Sequence, residues 1–266
     1  MTKQEPEQEK NQPTVSVPAE KEILITLVRH GETYQNRHKI VQGQDPTQGR
    51  LTPEGLRQAA LLGSALAGES FDIVYCSPLE RAVLTMSGVL APREGKHTLP
   101  IVFTDELKEI NQGVLHGRTH QEWKDAMSGQ DPIAFCPSGG ESWLDVQERV
   151  SRYLSEVILS GPGRNIMVVA HGGVNRGLIA GLTGIPMAEM WKGPGQGCPQ
   201  DNACINRLTI SGQGALRQAV VNDTRHLAGE FEFSSSGQRW IPGENRWELL
   251  DGENAPLPPL EFDPYS

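Results

Sequence analysis

The sequence predicts an α/β fold, a three-layer sandwich in which a mainly parallel sheet is flanked by helices. Short, β-branched and continuously apolar runs recur along the chain, as expected for strands that are buried on both faces. Segments with helix-capping residues and helical spacing of apolar side chains lie between these runs. Strands that alternate with helices in this way favour a parallel sheet. The 266 residues are enough to form one substantial core.

Six segments have the composition of strands. The first ends at Arg29-His30-Gly31 and the fourth ends at His171-Gly172, so each delivers a histidine to the carboxyl end of a strand. The predicted strands cover residues 23–28, 72–76, 101–103, 166–170, 204–210 and 216–221.

Four helices are predicted from capping residues. They begin at Pro53 after Thr52, at Pro78 after Ser77, at Trp143 after Ser142, and near Val174. The segment Ser77 to Glu80 has the spacing of a capping box, which would place Arg81 in the first turn of a helix that follows a strand. The third helix is expected to continue to residue 160.

The two ends of the chain differ from its middle in composition. Residues 1–20 are rich in Glu, Gln, Lys and Pro, which predicts a disordered arm before a folded domain at 21–228. Residues 229–266 form an acidic, proline-containing tail. Because this tail contains Trp240 and Trp247, the sequence leaves open whether part of it packs on the domain. A PxxP spacing at residues 256–259 favours a linker over a recognition motif.

The formal charge of −9 is concentrated in the two ends. The first twenty residues hold two basic and four acidic side chains, and residues 229–266 hold two basic and eight acidic ones, which leaves about −1 for the domain. Without a basic surface, neither nucleic acid nor an anionic membrane is an expected partner.

Cellular location and redox state follow from two further features. No apolar run approaches the roughly 20 residues that cross a bilayer, and the first residues lack a secretory signal, so the cytoplasm is the expected location. The four cysteines show no metal-ligand spacing, which predicts reduced thiols and no zinc site.

Three chemically suited side chains are expected to meet at one sheet edge. His30, Arg81 and His171 all follow strand ends, and ligands of such sheets bind beyond the carboxyl ends of the strands. A neutral imidazole is a competent nucleophile near pH 7, and the adjacent Arg29 offers a fork of donors for phosphate oxygens.

A series of motifs in a fixed order carries a family resemblance. They are LVRHGETYQN, VQGQ followed by LTPEG, YCSPLERAVLT, LKEINQGVLHG, PSGGES, VVAHGGVNRG and NDTRHL, spread over roughly residues 22–227. The chain thereby resembles the histidine phosphatase superfamily, in the branch related to cofactor-dependent phosphoglycerate mutase and fructose-2,6-bisphosphatase. The resemblance implies the phosphoglycerate mutase-like form of the α/β fold.

The resemblance also implies roles for individual residues. His30 would take the phosphoryl group as a phosphohistidine, inside a phosphate pocket formed by Arg29, Arg81 and His171. Further phosphate or substrate contacts are implied for Asn36, Gln42, Gly43 and Gly172. No metal and no cofactor is implied.

The resemblance places the general acid at Glu109, although spacing alone does not separate Glu109 from Glu106. An acid that holds a proton near pH 7 needs a raised pKa, so a partly desolvated Glu109 is expected. His116 and Arg118 follow closely enough to line the same pocket.

The predicted activity is hydrolysis of a small phosphorylated metabolite. Mutases of the superfamily insert a longer segment before the second histidine, whereas only 62 positions separate Glu109 from His171 here. Phosphoglycerate mutase-type transfer and a non-catalytic phospho-ligand binder are the alternatives. The sequence selects neither the phosphate ester nor the oligomeric state.

Overall fold

A computed structural model describes residues 22–45, 49–93, 99–193, 195–230, 237–241, 244 and 246–250. The predicted N-terminal arm and the PxxP spacing lie outside these residues. The described chain contains the eight strands β1 (Ile23–Arg29), β2 (Ile73–Cys76), β3 (Ile101–Phe103), β4 (Asn165–Ala170), β5 (Ile205–Ile210), β6 (Leu216–Asp223), β7 (Gln238–Ile241) and β8 (Arg246–Leu249).

The described α-helices are α1 (Tyr34–His38), α2 (Pro53–Leu66), α3 (Glu80–Leu90), α4 (His120–Met127), α5 (Trp143–Tyr153) and α6 (Gly172–Thr183). A π-helical turn, Leu154–Ile158, continues α5. Short 3₁₀ turns lie at Ala91–Arg93, Asp105–Leu107, Gly113–Leu115, Met187–Trp191 and Arg225–Leu227.

The strands form one sheet in the order β3-β2-β4-β1-β5-β6-β7-β8. Pairings among β3, β2, β4 and β1 are parallel, and we call these strands the parallel half. From β5 onward every pairing is antiparallel, and β5 to β8 are the antiparallel half. The predicted α/β class is confirmed, with the parallel arrangement confined to the first half.

Two apolar clusters cover opposite faces of the sheet. In β4, Val168 belongs to a cluster that contains α5 and α6 side chains, whereas its neighbour Val169 belongs to a cluster that contains α2 and α3 side chains. Successive strand residues point to opposite faces. This strand is therefore buried on both sides between two helical layers, as its continuously apolar sequence predicts.

Two predicted helix starts are wrong by two residues. Helix α3 begins at Glu80 rather than at Pro78, because the backbone of Leu79 is still extended (φ −69°, ψ 135°) and Leu79 is the N-cap residue. The Ser77 hydroxyl accepts from the Leu79 amide (3.3 Å). Arg81 still lies in the first turn. Helix α6 begins directly at Gly172 rather than near Val174.

Strands β7 and β8 come from the segment assigned to the acidic tail. Trp240 and Trp247 are directly paired in register, their ring centroids lie 4.9 Å apart, and both are buried against the core. This part of the tail therefore packs on the domain. Within the described segments, no helix has the length and apolar character of a membrane span.

Candidate active site

Three parallel strands and the segments after them bring the predicted residues to one cavity. Strand β1 ends at Arg29, so His30 lies just beyond it, and the His30 amide donates to the carbonyl of Ala170 at the end of β4 (3.1 Å). Arg81 enters from the first turn of α3, after β2. The predicted residues that line the cavity are Arg29, His30, Asn36, Gln42, Gly43, Arg81, Glu109 and Gly172.

The His30 ring is held in one tautomer. Its Nδ1 lies 2.8 Å from the carbonyl oxygen of Gly31, and since a carbonyl only accepts, Nδ1 carries the proton. The lone pair therefore resides on Nε2. Burial, together with the charges of Arg81 and Arg29, holds the pKa of His30 well below its ordinary value, so the ring is neutral near pH 7.

Gly31 allows the segment after β1 to approach the first turn of α2 beside this histidine. A Cβ at that position would lie 2.5 Å from the carbonyl oxygen of Gly55, a distance that no side chain tolerates. The Gly31 amide donates to the Thr85 hydroxyl (3.0 Å). The carbonyl that fixes His30 is thus itself fixed by the packing of α2 and α3.

His171 lies behind the cavity rather than in its lining. The Nε of Arg81 donates to His171 Nδ1 (3.2 Å), so Nε2 carries the ring proton and donates to the Ser77 hydroxyl (2.8 Å). Both ring nitrogens are therefore engaged. The ring is fully buried, its centroid lies 5.2 Å from that of His30, and burial lowers its pKa well below the ordinary value. In this arrangement His171 orients Arg81.

Three buried arginines concentrate positive charge at the cavity. Arg29, Arg81 and Arg176 all line it, and none forms an ion pair with a carboxylate among the residues that the structure describes. Burial lowers the pKa of Arg81 and of Arg176 to about 10, so both stay cationic near pH 7. The negative charge of Glu109 acts in the opposite direction and raises the pKa of both arginines. Buried charges need counter-charges, and an anionic ligand would supply one here.

Carbonyl groups aim the three guanidinium groups. Arg81 Nη2 donates to the Gly43 carbonyl (3.0 Å), and Gly43 adopts a left-handed φ of 58° to present it. Arg29 Nη1 donates to the carbonyl of Gln200, and Arg176 Nε donates to that of Cys198 (2.9 Å). The Nε of Arg29 is buried and has no partner within the described chain.

The structure separates the two candidate acids. Glu109 is half-buried and lines the cavity, where its carboxylate accepts from the amides of Ile110 (3.0 Å) and Gly173 (3.3 Å). Glu106 does not line the cavity, and its carboxylate faces Arg152 at 3.5 Å. Only Glu109 is placed to exchange a proton with a ligand.

Two further features of the cavity suit an oxygen-rich ligand. Asn36 keeps its Oδ1 on the Thr33 amide (3.2 Å) and hydroxyl (2.9 Å), so its NH₂ group is the side that can donate to a ligand oxygen. The buried Oε1 of Gln42, which has no described partner, can accept from a ligand hydroxyl. The first turn of α6 contains no acidic residue, and its Gly172 and Gly173 border the cavity. A helix N-terminus of this kind attracts anions.

Sequence reasoning missed six lining residues: Ile40, Ile110, Gln112, Trp143, Gly173 and Arg176. A signal for Arg176 was available, because a helix that starts at Gly172 places residue 176 on the same face one turn later. His116 and Arg118, which follow the acid closely enough to reach the cavity, are not among its lining residues. His116 faces Asp45 (3.2 Å), and Arg118 faces Glu122 (3.5 Å) at the surface.

Metal ligands are not grouped in the described part of the chain, where no cluster of three or more His, Cys, Asp or Glu could hold an ion. The described cysteines are free thiols, and three of the four are buried.

Comparison with known proteins agrees with this architecture. The chain is 37% identical over 176 residues to the adenosylcobalamin/alpha-ribazole phosphatase of Escherichia coli, which covers 64% of this chain and 83% of that protein. It is 34% identical over 167 residues to a 2,3-bisphosphoglycerate-dependent phosphoglycerate mutase of Cytophaga hutchinsonii, covering 60% of this chain and 76% of that one.

A solved structure shares the fold. The alpha-ribazole phosphatase of Shigella flexneri superposes with a TM-score of 0.66 at 31% identity, covering 76% of this chain and 97% of that chain. The family model described as the histidine phosphatase superfamily, branch 1, matches residues 25–224. The chain belongs to this superfamily.

Proposed function

We propose that this protein is a phosphomonoester hydrolase that acts on a small phosphorylated metabolite through a phosphohistidine on His30. One observation carries the proposal: a neutral imidazole with its lone pair on Nε2 lies in a cavity lined by three buried arginines, none of which forms an ion pair within the described chain. Phosphoryl transfer depends on positioning and on positive charge around the phosphoryl oxygens. This cavity offers both, next to a nucleophile in its reactive protonation state.

In the first half-reaction, the Nε2 lone pair of His30 attacks phosphorus and the ester P–O bond breaks. Glu109, in its protonated form, gives its proton to the departing alcohol oxygen. The imidazole becomes cationic while it carries the phosphoryl group, and the Nδ1–H bond to the Gly31 carbonyl stabilises that charge. Arg29, Arg81 and Arg176 surround the transferred oxygens.

In the second half-reaction, water attacks the phosphohistidine. The Glu109 carboxylate takes the proton of this water, the N–P bond breaks, and inorganic phosphate leaves with His30 again neutral. Acid–base assistance of this kind contributes about 10²–10⁴ in rate. The amides of Ile110 and Gly173 hold the Glu109 carboxylate between the two steps.

Hydrolysis and mutase transfer share this first half-reaction and differ in the acceptor. The 62-residue spacing between Glu109 and His171 supports water as the acceptor. The test incubates the protein with phenyl phosphate and with 2- and 3-phosphoglycerate, and follows free phosphate and isomer exchange. Phosphate release that His30→Ala abolishes is the expected result.

Two other outcomes would overturn the proposal. Rapid exchange of the phosphoglycerate isomers with little phosphate release would identify a mutase. Absence of both reactions, with retained binding of inorganic phosphate, would identify a phospho-ligand binder.

A further inference from the structure

Gln112 has a side-chain NH₂ group that is buried and finds no hydrogen-bond acceptor in the described structure. Its side chain is 1% exposed and lines the same cavity as His30 and Glu109. The Nε2 atom is shielded from solvent and has no hydrogen-bond partner among the described residues. A buried donor without an acceptor is unfavourable, and native proteins rarely retain one without a reason.

The orientation of this amide is fixed by Trp123 of α4. The indole Nε1 of Trp123 donates to Gln112 Oε1 at 3.0 Å. An indole nitrogen can only donate, so the oxygen of the amide must face it. The NH₂ group of Gln112 therefore points away from Trp123. Trp123 is itself 2% exposed and packs edge-on against Phe135, with centroids 5.7 Å apart. The unsatisfied donor is therefore held in place.

The position of Gln112 assigns it to the leaving-group side of the cavity. It follows Glu109 by three residues in the same loop, and Glu109 is the acid that protonates the departing oxygen in the proposed mechanism. On its other side, Gln112 lies against Gly43, where a Cβ would fall 3.3 Å from its Cβ and Cγ. The carbonyl of the same Gly43 accepts from Arg81 Nη2 (3.0 Å).

We propose that Gln112 is a specificity-determining residue whose Nε2 donates a hydrogen bond to an oxygen of the departing alcohol. This inference rests on the proposed function. It names the substrate class as phosphate monoesters whose alcohol carries a second oxygen, in a hydroxyl or a carboxylate group, close to the ester. An alkyl phosphate without that oxygen would leave the donor unpaired, and sites of this kind reject such analogues strongly.

The test measures kcat/KM for two matched pairs of substrates. Glycerol 1-phosphate is compared with propyl phosphate for the hydroxyl, and phosphoglycolate with ethyl phosphate for the carboxylate. Phenyl phosphate, whose alcohol has no second oxygen, reports the basic activity. We expect the wild-type protein to prefer the oxygen-bearing member of at least one pair by about tenfold or more.

Three variants connect this preference to the amide. In Gln112→Met, which keeps the length of the side chain but removes the donor, the preference should fall to within about twofold of unity. In Trp123→Phe, which keeps Gln112 but releases its oxygen, the preference should fall partway. The matched control Gln121→Met, at an exposed position of α4, should keep the full preference.

Each remaining outcome decides the question. A wild-type ratio near one in both pairs, or a preference that survives in Gln112→Met, overturns the inference. An equal loss of kcat/KM on all five substrates in Gln112→Met would mean that the amide binds the phosphoryl group, and this result also overturns the inference. If Gln112→Met does not fold, Trp123→Phe decides. If the wild-type protein hydrolyses none of the substrates, including phenyl phosphate, the proposed function itself fails.

Discussion

The parallel and antiparallel halves of the sheet contribute to the candidate active site in different ways. In the parallel half, β1 ends at Arg29 and His30, β2 leads to Arg81, and β4 leads to His171 and α6. In the antiparallel half, none of the described residues of β5 to β8 lines the cavity. The side chains proposed to carry the chemistry thus come from the strands whose carboxyl ends meet at one edge.

The antiparallel half positions the loop at residues 195–200, which contacts two of the arginines of the cavity. Gln238 of β7 accepts from the Gly195 amide (2.8 Å) and donates to the Gly197 carbonyl. The same loop continues to Cys198 and Gln200. The carbonyl of Cys198 accepts a hydrogen bond from Arg176, and the carbonyl of Gln200 accepts one from Arg29. The parallel half therefore supplies the proposed reacting groups, and the antiparallel half helps to fix the orientation of Arg29 and Arg176.

The largest expected effect on activity concerns the acid near the parallel half. Glu109→Gln removes the proton donor but keeps the size of the side chain, so kcat for alkyl phosphates should fall by about 10²–10⁴. Steady-state kinetics measure it, with Glu106→Gln as the matched control that should retain activity. A loss in Glu106→Gln with normal activity in Glu109→Gln would reverse the assignment of the acid.

The next effect separates stability from catalysis. Ile210 of β5 is fully buried and pairs with Ile23 at the start of β1, the end of that strand remote from His30. Ile210→Ala should lower the free energy of unfolding by about 2–5 kcal/mol, and Ile210→Val by about 0.5–1.5 kcal/mol. Urea unfolding measures both.

In the same two variants, kcat/KM measured well below the unfolding midpoint should match the wild-type value. A large loss of kcat/KM in folded Ile210→Ala would show that the antiparallel half does more than support the cavity.

The smallest effect concerns the pH dependence of stability. Burial lowers the pKa of His226, which follows β6, to about 4, while an unfolded histidine titrates near 6.5. Between these values the unfolded chain binds the proton and the folded one does not, so stability falls as the pH falls. The contribution of one such group is about 1.4 kcal/mol per pH unit.

His226→Gln should therefore flatten the decline in unfolding free energy from pH 6.5 to 5 by about that slope. Urea unfolding at several pH values checks it. An unchanged slope would mean that His226 titrates alike in the folded and unfolded chain.

Much of the parallel half could be predicted because β1, β2 and β4 are largely apolar on both faces, whereas the short strand β3 is exposed along its length. All six predicted strands are present, and the N-caps Thr52 and Ser142 both accept from the expected amides. Strands β7 and β8 were missed because their short polar-apolar sequence is not typical of buried strands. The predicted helix start at Pro78 is wrong because the backbone of Leu79 is still extended, so the helix begins at Glu80.

Some residues of the candidate site could likewise be predicted from the sequence and others could not. Residues at strand ends, such as His30 and His171, could be placed from the sequence because the end of a buried strand fixes their position. Gln112 could not, since its importance depends on loop packing and on which atoms stay unpaired. Arg176 was missed because the predicted start of α6 lay two residues too late. The choice between Glu109 and Glu106 likewise needed the path of the chain beyond β3.

The central claim is that His30 carries the phosphoryl group, and trapping that intermediate tests it most directly. The protein is mixed rapidly with radiolabelled phenyl phosphate and quenched during turnover, and the label is mapped by peptide. The account predicts a label on the His30 peptide that survives base, is lost in acid, and is absent in His30→Ala. A label that persists in His30→Ala, or that maps to His171, would contradict it.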